Sequence, residues 1–164
     1  MNGVEAGKPK LIEATRILIG EGVEEVLFFK ALLGHLGIHG VQVEHYNGKA
    51  GLGSYLKTLT TRPGFAAVER LGITRDADAN PTGAVTSVQD SIGRAQFPSA
   101  LVVRTFVLPG NGRDGALENL CLQTIEGQPL GACIEDYFTC VARTTSRSFA
   151  SESNVVLGRA LAGK

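Results

Sequence analysis

Apolar positions along this chain fall into short blocks whose spacing alternates between that of strands and that of helices. "TRILIG", residues 15–20, is brief, rich in β-branched residues and closed by glycine, which predicts a buried strand. In the following "EGVEEVLFFKALLGHLG" the spacing of Val23, Val26, Leu27, Lys30 and Leu33 predicts an amphipathic helix ending near Gly37. "VQVEHY", residues 41–46, alternates as a second strand does. "NGKAG" turns the chain into a helix carrying Leu52, Tyr55, Leu56 and Leu59, and Pro63 limits it. A third strand is expected within residues 67–75. The loop "DADANPTG" leads from it to a helix with Val85, Val88 and Ile92. "LVVRTFVLP", residues 101–109, is the clearest strand pattern of all. A glycine loop, "GNGRDG", then precedes the helix "ALENLCLQTI", and residues 130–142 read as a further amphipathic helix. "TTSRSFASESN" reads as an exposed loop before a short last helix around 153–162.

Strand and helix thus alternate four times. Parallel strands need helix-length returns, so the expected fold is α/β, a mostly parallel sheet of about four strands with helices on both faces. The length of 164 residues suits one domain, with residues 1–13 as an N-terminal tail and 126–164 as a C-terminal helical extension.

Composition narrows the function classes. Sixteen basic residues balance sixteen acidic ones, so no overall positive field draws the chain to nucleic acid. No apolar run approaches the roughly 20 residues that cross a bilayer, and "MNGVEAGKPK" lacks a signal-peptide core. Cys121, Cys133 and Cys140 are odd in number and lack C-x-x-C spacing. They point to reduced, buried thiols in a cytoplasmic protein rather than to zinc or a disulfide framework.

Candidate chemistry gathers where strands end. In an open parallel sheet, ligands collect beyond the carboxyl ends of the strands. Glu21 directly follows the first strand, and Glu25 is one helical turn further on. Asp76 and Asp78 follow the third strand, and Glu118 opens the helix after the fourth. If strands one and three are neighbours, these carboxylates meet. Such a cluster repels itself unless counter-charged, and oxygen ligands suit Mg²⁺ or Mn²⁺. Each element also has a plainer explanation: an acid at a helix start complements the macrodipole, and a loop Asp often caps the next helix.

The stretches "ILIGEGVEEVLFFKALL", "YNGKAGLGSYLKTL", "GITRDADAN" and "FVLPGNGRDGALENL" together resemble stand-alone Toprim-like proteins of the DUF3226 type. These are related in layout to the Toprim half of the OLD nucleases. The resemblance covers about residues 14–125 and implies a Toprim Rossmann-like fold. It implies that Glu21 acts as general acid or base and that Asp76 and Asp78 bind Mg²⁺, with Glu25 and Glu118 as further acidic positions. The activity it implies is phosphoryl transfer, most simply nuclease-type phosphodiester hydrolysis on a nucleic acid or nucleotide. A non-catalytic phosphate-binding or regulatory module serving a separate ATPase is the alternative. Lys49, after strand two at the same edge, is the candidate phosphate contact. The oligomeric state is open.

Other signals carry less. "GNGRDG" spells G-x-G-x-x-G but follows the wrong strand for a dinucleotide fingerprint, although amides at the helix start that follows can hold a phosphate. Arg75 and Arg113 flank the acidic loops. Of His35, His39 and His45, His45 alone stands near a strand end. Phe28, Phe29, Tyr137 and Phe138 fit a core or a dimer face better than base stacking, and Cys133 with Tyr137 suggests packing.

Overall fold

The structure, a computed structural model, describes residues 10–145. Four strands, β1 (Arg16–Gly20), β2 (Val41–His45), β3 (Arg70–Asp76) and β4 (Val102–Leu108), form one all-parallel sheet in the order β2-β1-β3-β4. The helices are α1 (Val23–His35), α2 (Leu52–Leu59), α3 (Pro81–Ala95), α4 (Leu117–Ile125) and α5 (Pro129–Thr145). The expected α/β class, strand count and strand direction all hold. The expected helix at 153–162 and most of the loop before it lie outside the described residues.

Register fixes which side chains share a face. Ile17 pairs with Gln42 and Leu71, and Ile19 with Glu44 and Ile73. Ile17, Ile19, Leu71 and Ile73 meet Leu52, Leu56 and Leu59 of α2 and Val88 of α3 in the main core. Each such large apolar side chain contributes about 1.5–3 kcal/mol by leaving water. The other face is shown by two glycines. A Cβ on Gly20 would stand 2.6 Å from the Glu25 Cβ of α1, and one on Gly72 would stand 2.9 Å from the Leu18 side chain. So α1 lies opposite α2 and α3. The chain adds β2 on one side of β1 and β3 on the other, which puts the topological switch point between β1 and β3.

Two polar devices fasten the strands. Glu44, 5% exposed, takes both Arg62 guanidinium nitrogens, at 2.7 and 3.0 Å, and also accepts from Gln42 and Tyr55. Burial alone would raise its pKa. The hydrogen bonds from Arg62, Tyr55 and Gln42 outweigh that and hold the carboxyl well below its usual range. The buried Tyr46 hydroxyl donates to the Thr74 carbonyl at 2.9 Å, and the Thr74 hydroxyl donates to the Ile19 carbonyl at 3.2 Å. These bonds bind the upper ends of β1, β2 and β3 together, where the acidic residues stand.

Two expectations need correction. The helix at 23–35 is not amphipathic: it is apolar nearly all round, the residue it buries is Glu25, and Val23 and Leu27 are more than half exposed. Cys133 and Cys140 are exposed and Cys121 is half-buried, all three as free thiols, and Tyr137 is 58% exposed. A helix of alternating character beyond the main core does not need to bury its thiols. The clearest strand pattern in the chain belongs to the edge of the sheet, where Val102 and Phe106 stand exposed.

Candidate metal centre

The end of β1 supplies the first acid. Gly20 is the last strand residue, and its missing side chain lets Glu25 sit close against the strand end. Glu21 follows. Its backbone carbonyl accepts from Gly48 N at 2.9 Å, which locks the loop after β2 to the loop after β1. Its Oε2 is buried without a hydrogen-bond partner. Burial raises the Glu21 pKa, Asp78 and Glu25 add to the rise, and Arg75 and Lys49 oppose it.

Glu25 enters from the first turn of α1 and is 5% exposed. It accepts from Gly22 N at 2.8 Å, so one of its oxygens serves the helix start.

The end of β3 supplies Asp76. It accepts from Leu117 N at 3.1 Å, the first amide of α4. Its pKa is pushed up to about 7, first by burial and then by the nearby charges of Glu25, Glu21 and Glu118, against the Leu117 hydrogen bond. Glu118, the next residue of α4, completes the group. Glu21, Glu25, Asp76 and Glu118 line a single cleft of about 330 Å³, together with Glu24, His45, Asn47 and Gly48.

Asp78 stands beside this cleft rather than in its lining. It adopts φ 49° and pairs its backbone with Gly115 at 2.8 and 2.7 Å. Its carboxylate forms an ion pair with Lys49. The plain role of helix cap falls instead to Asn80, whose side chain accepts from Gly83 N at 2.9 Å. Capping of α3 therefore explains neither aspartate.

The amides at the start of α4 are already engaged within the chain. Leu117 N serves Asp76, and Ala116 N donates to Asn119 Oδ1 at 2.9 Å. Arg113 donates to Gln123 at 2.6 Å and makes no ion pair among the described residues. Arg75 reaches Ser87 on α3 at 3.2 Å, and its field lowers the Glu21 pKa.

The fit to a divalent cation can be judged from this donor set. Besides Glu24, four carboxylates face one cleft, one of them with a buried, unpartnered oxygen, and hard oxygen donors suit Mg²⁺ or Mn²⁺. No three His, Cys, Asp or Glu side chains among the described residues stand as a ready-made coordination shell. Like charges spread apart, and a cation requires small rotamer changes to draw them in. The sequence alone points to Glu21, Glu25, Asp76 and Glu118. For Glu24, Asn47 and Gly48 of the lining, its only signal is their place beside strand ends.

An all-parallel, doubly wound sheet with an acidic cleft at its switch point defines the class. The chain belongs to the family described as "Protein of unknown function (DUF3226)", whose model matches residues 15–154. Its fold is similar to the C-terminal region of the OLD protein of Xanthomonas campestris pv. campestris, at 15% identity and a TM-score of 0.46. That similarity covers 91% of this chain and 71% of the other. No curated protein matches. No helix among the described residues is long and apolar enough to cross a membrane.

Proposed function

We propose that the chain is a divalent-metal-dependent phosphoryl-transfer enzyme, most simply one that hydrolyses phosphodiester bonds in a nucleic acid or nucleotide. One observation carries this reading: carboxylates from β1, α1, β3 and α4 converge at the switch point strongly enough to push the Asp76 pKa up to about 7. A fold tolerates such repulsion where a cation or proton is meant to relieve it.

In this reading Asp76, Glu21, Glu25 and Glu118 hold Mg²⁺ or Mn²⁺, with Asp78 joining as Lys49 releases it. The bound ion would supply Lewis acidity and a low-pKa water. Glu21, with an oxygen free of protein partners, accepts a proton from the attacking water. Lys49 turns from Asp78 to the phosphate and balances its charge. Tyr46 and Thr74 keep the strand ends fixed while this happens.

The test is a metal titration followed by calorimetry, with cleavage of single- and double-stranded DNA and RNA measured alongside. Mn²⁺ or Mg²⁺ binding and metal-dependent cleavage, both lost in Asp76→Ala, support the enzyme. Absence of any metal binding removes it. A second reading, a non-catalytic phosphate-binding or regulatory module that partners a separate ATPase, draws on the Lys49–Asp78 ion pair and the unformed coordination shell. Metal binding without turnover supports that one.

A further inference from the structure

Helix α1 and the β3–β4 half of the sheet each lack a partner on the same side of the molecule. Register places Val102, Arg104 and Phe106 of β4 on the face that carries Leu18, Gly72 and Thr74. That is the face α1 covers. One helix is about 10 Å wide and strands are about 4.8 Å apart, so one helix covers two strands. Here it covers β1 and β2, and Val102 and Phe106 stand 43% and 49% exposed.

The helix shows the reciprocal deficit. Its Lys30 and Leu33 line grooves with Val41 and Val43 of β2. The opposite flank, bearing Leu32 and continued by Leu36, therefore turns toward β3, and Val23 and Leu27 point away from the sheet. Those four residues are 52% (Val23), 55% (Leu27), 38% (Leu32) and 58% (Leu36) exposed. A helix that is apolar all round belongs between two surfaces.

We propose that a second copy of this chain supplies both missing surfaces. A two-fold axis running along α1 sets the two α1 helices side by side in one layer. Each α1 then packs beneath its own β1–β2 and against the β3–β4 face of the other copy. One surface is self-complementary, as a two-fold interface requires. A lone helix docked on β3–β4 would cover Leu32 and Phe106 but leave Val23 and Leu27 in water, which favours the second copy over a small partner. The area is also sufficient. The exposed fractions of these six residues amount to about three whole large apolar side chains, on the order of 500 Å². A stable homodimer buries about 800 Å² per partner, of which roughly two-thirds is apolar. The inference is independent of any metal chemistry.

Sedimentation velocity of the full-length chain tests it. The expected result is a dimer with a dissociation constant of micromolar order or tighter. Leu27→Glu and Phe106→Arg should each weaken it at least tenfold, with circular dichroism and cooperative melting retained. Val85→Glu, on α3 at the opposite face, should leave it intact. A wild-type chain that stays monomeric up to about 100 µM overturns the proposal whatever the variants do. So does a dimer that folded Leu27→Glu and Phe106→Arg leave at full strength, or one that Val85→Glu alone dissolves.

Discussion

The amide of Leu117 donates to the carboxylate of Asp76 across 3.1 Å, joining the start of α4 to the end of β3. This one bond both orients the most perturbed acid of the cleft and brings Glu118 next to it. It opposes a larger effect, the burial and neighbouring charge that push Asp76 up to about 7.

Stability should therefore fall as pH rises through the window between the ordinary Asp value of 3.8 and about 7. The folded state holds the Asp76 proton there and the unfolded state has lost it, so the slope of unfolding free energy against pH is negative. The raised Glu21 pKa acts in the same sense. Glu44 does not confuse the result: its carboxyl is depressed, so its contribution is complete above 4.5 and is lost only on acidification below that. Urea unfolding of the metal-free chain should show a loss of roughly 1–3 kcal/mol between pH 5 and pH 8. Asp76→Asn should flatten the profile and leave the variant more stable than wild type at pH 8. A profile unchanged in Asp76→Asn would contradict the assignment.

Gly20→Ala should disturb the centre without touching an acid. The new methyl stands 2.6 Å from Glu25 Cβ, so the first turn of α1 must shift. We expect destabilisation of about 1–3 kcal/mol, read by chemical denaturation. A fall in Mn²⁺ affinity measured by calorimetry should accompany it.

Breaking the Glu44–Arg62 pair should be among the most damaging single changes outside the apolar core. Glu44→Gln leaves a guanidinium that is 7% exposed without its counter-charge. The expected cost is about 3–5 kcal/mol. A double replacement, Glu44→Leu with Arg62→Met, should recover a large part of it. A double-mutant cycle by urea unfolding measures the coupling, and the cleft chemistry should survive in the double variant.

Lys49→Met separates binding from turnover. The Lys49–Asp78 pair is about half-exposed on both sides, so its loss should change stability by no more than about 1 kcal/mol. Mn²⁺ affinity should hold or rise, because Asp78 is released. Any phosphodiester cleavage should fall by roughly 100-fold or more. Equal cleavage by wild type and variant would remove Lys49 from the reaction.

The parts of this molecule written in local pattern are legible in the amino-acid sequence alone. Strand ends at Gly20 and Asp76 follow from short apolar runs closed by glycine or acids. Placing Glu21, Asp76 and Glu118 at one edge needs only the rule that ligands collect at the carboxyl ends of parallel strands. What local pattern does not contain is partnership across distance. The Tyr46 bond to Thr74, the Arg62 grip on Glu44 and the Leu117 amide on Asp76 each join residues far apart in the chain. Nothing local marks Val102 and Phe106 as edge residues, because β-branched and aromatic runs look alike in a central strand and at an edge. The i, i+4 spacing of Val23 and Leu27 marks a helix face but not which way the face turns.

Because β1 is flanked by two later strands, its neighbours arrive in a fixed sequence during synthesis. A chain cut before α4 would carry Glu21, Glu25 and Asp76, yet nothing would steer the last of them, and Glu118 would be missing. Affinity for a cation thus becomes a property of the finished domain that no excised peptide inherits, and a partial translation product stays inert.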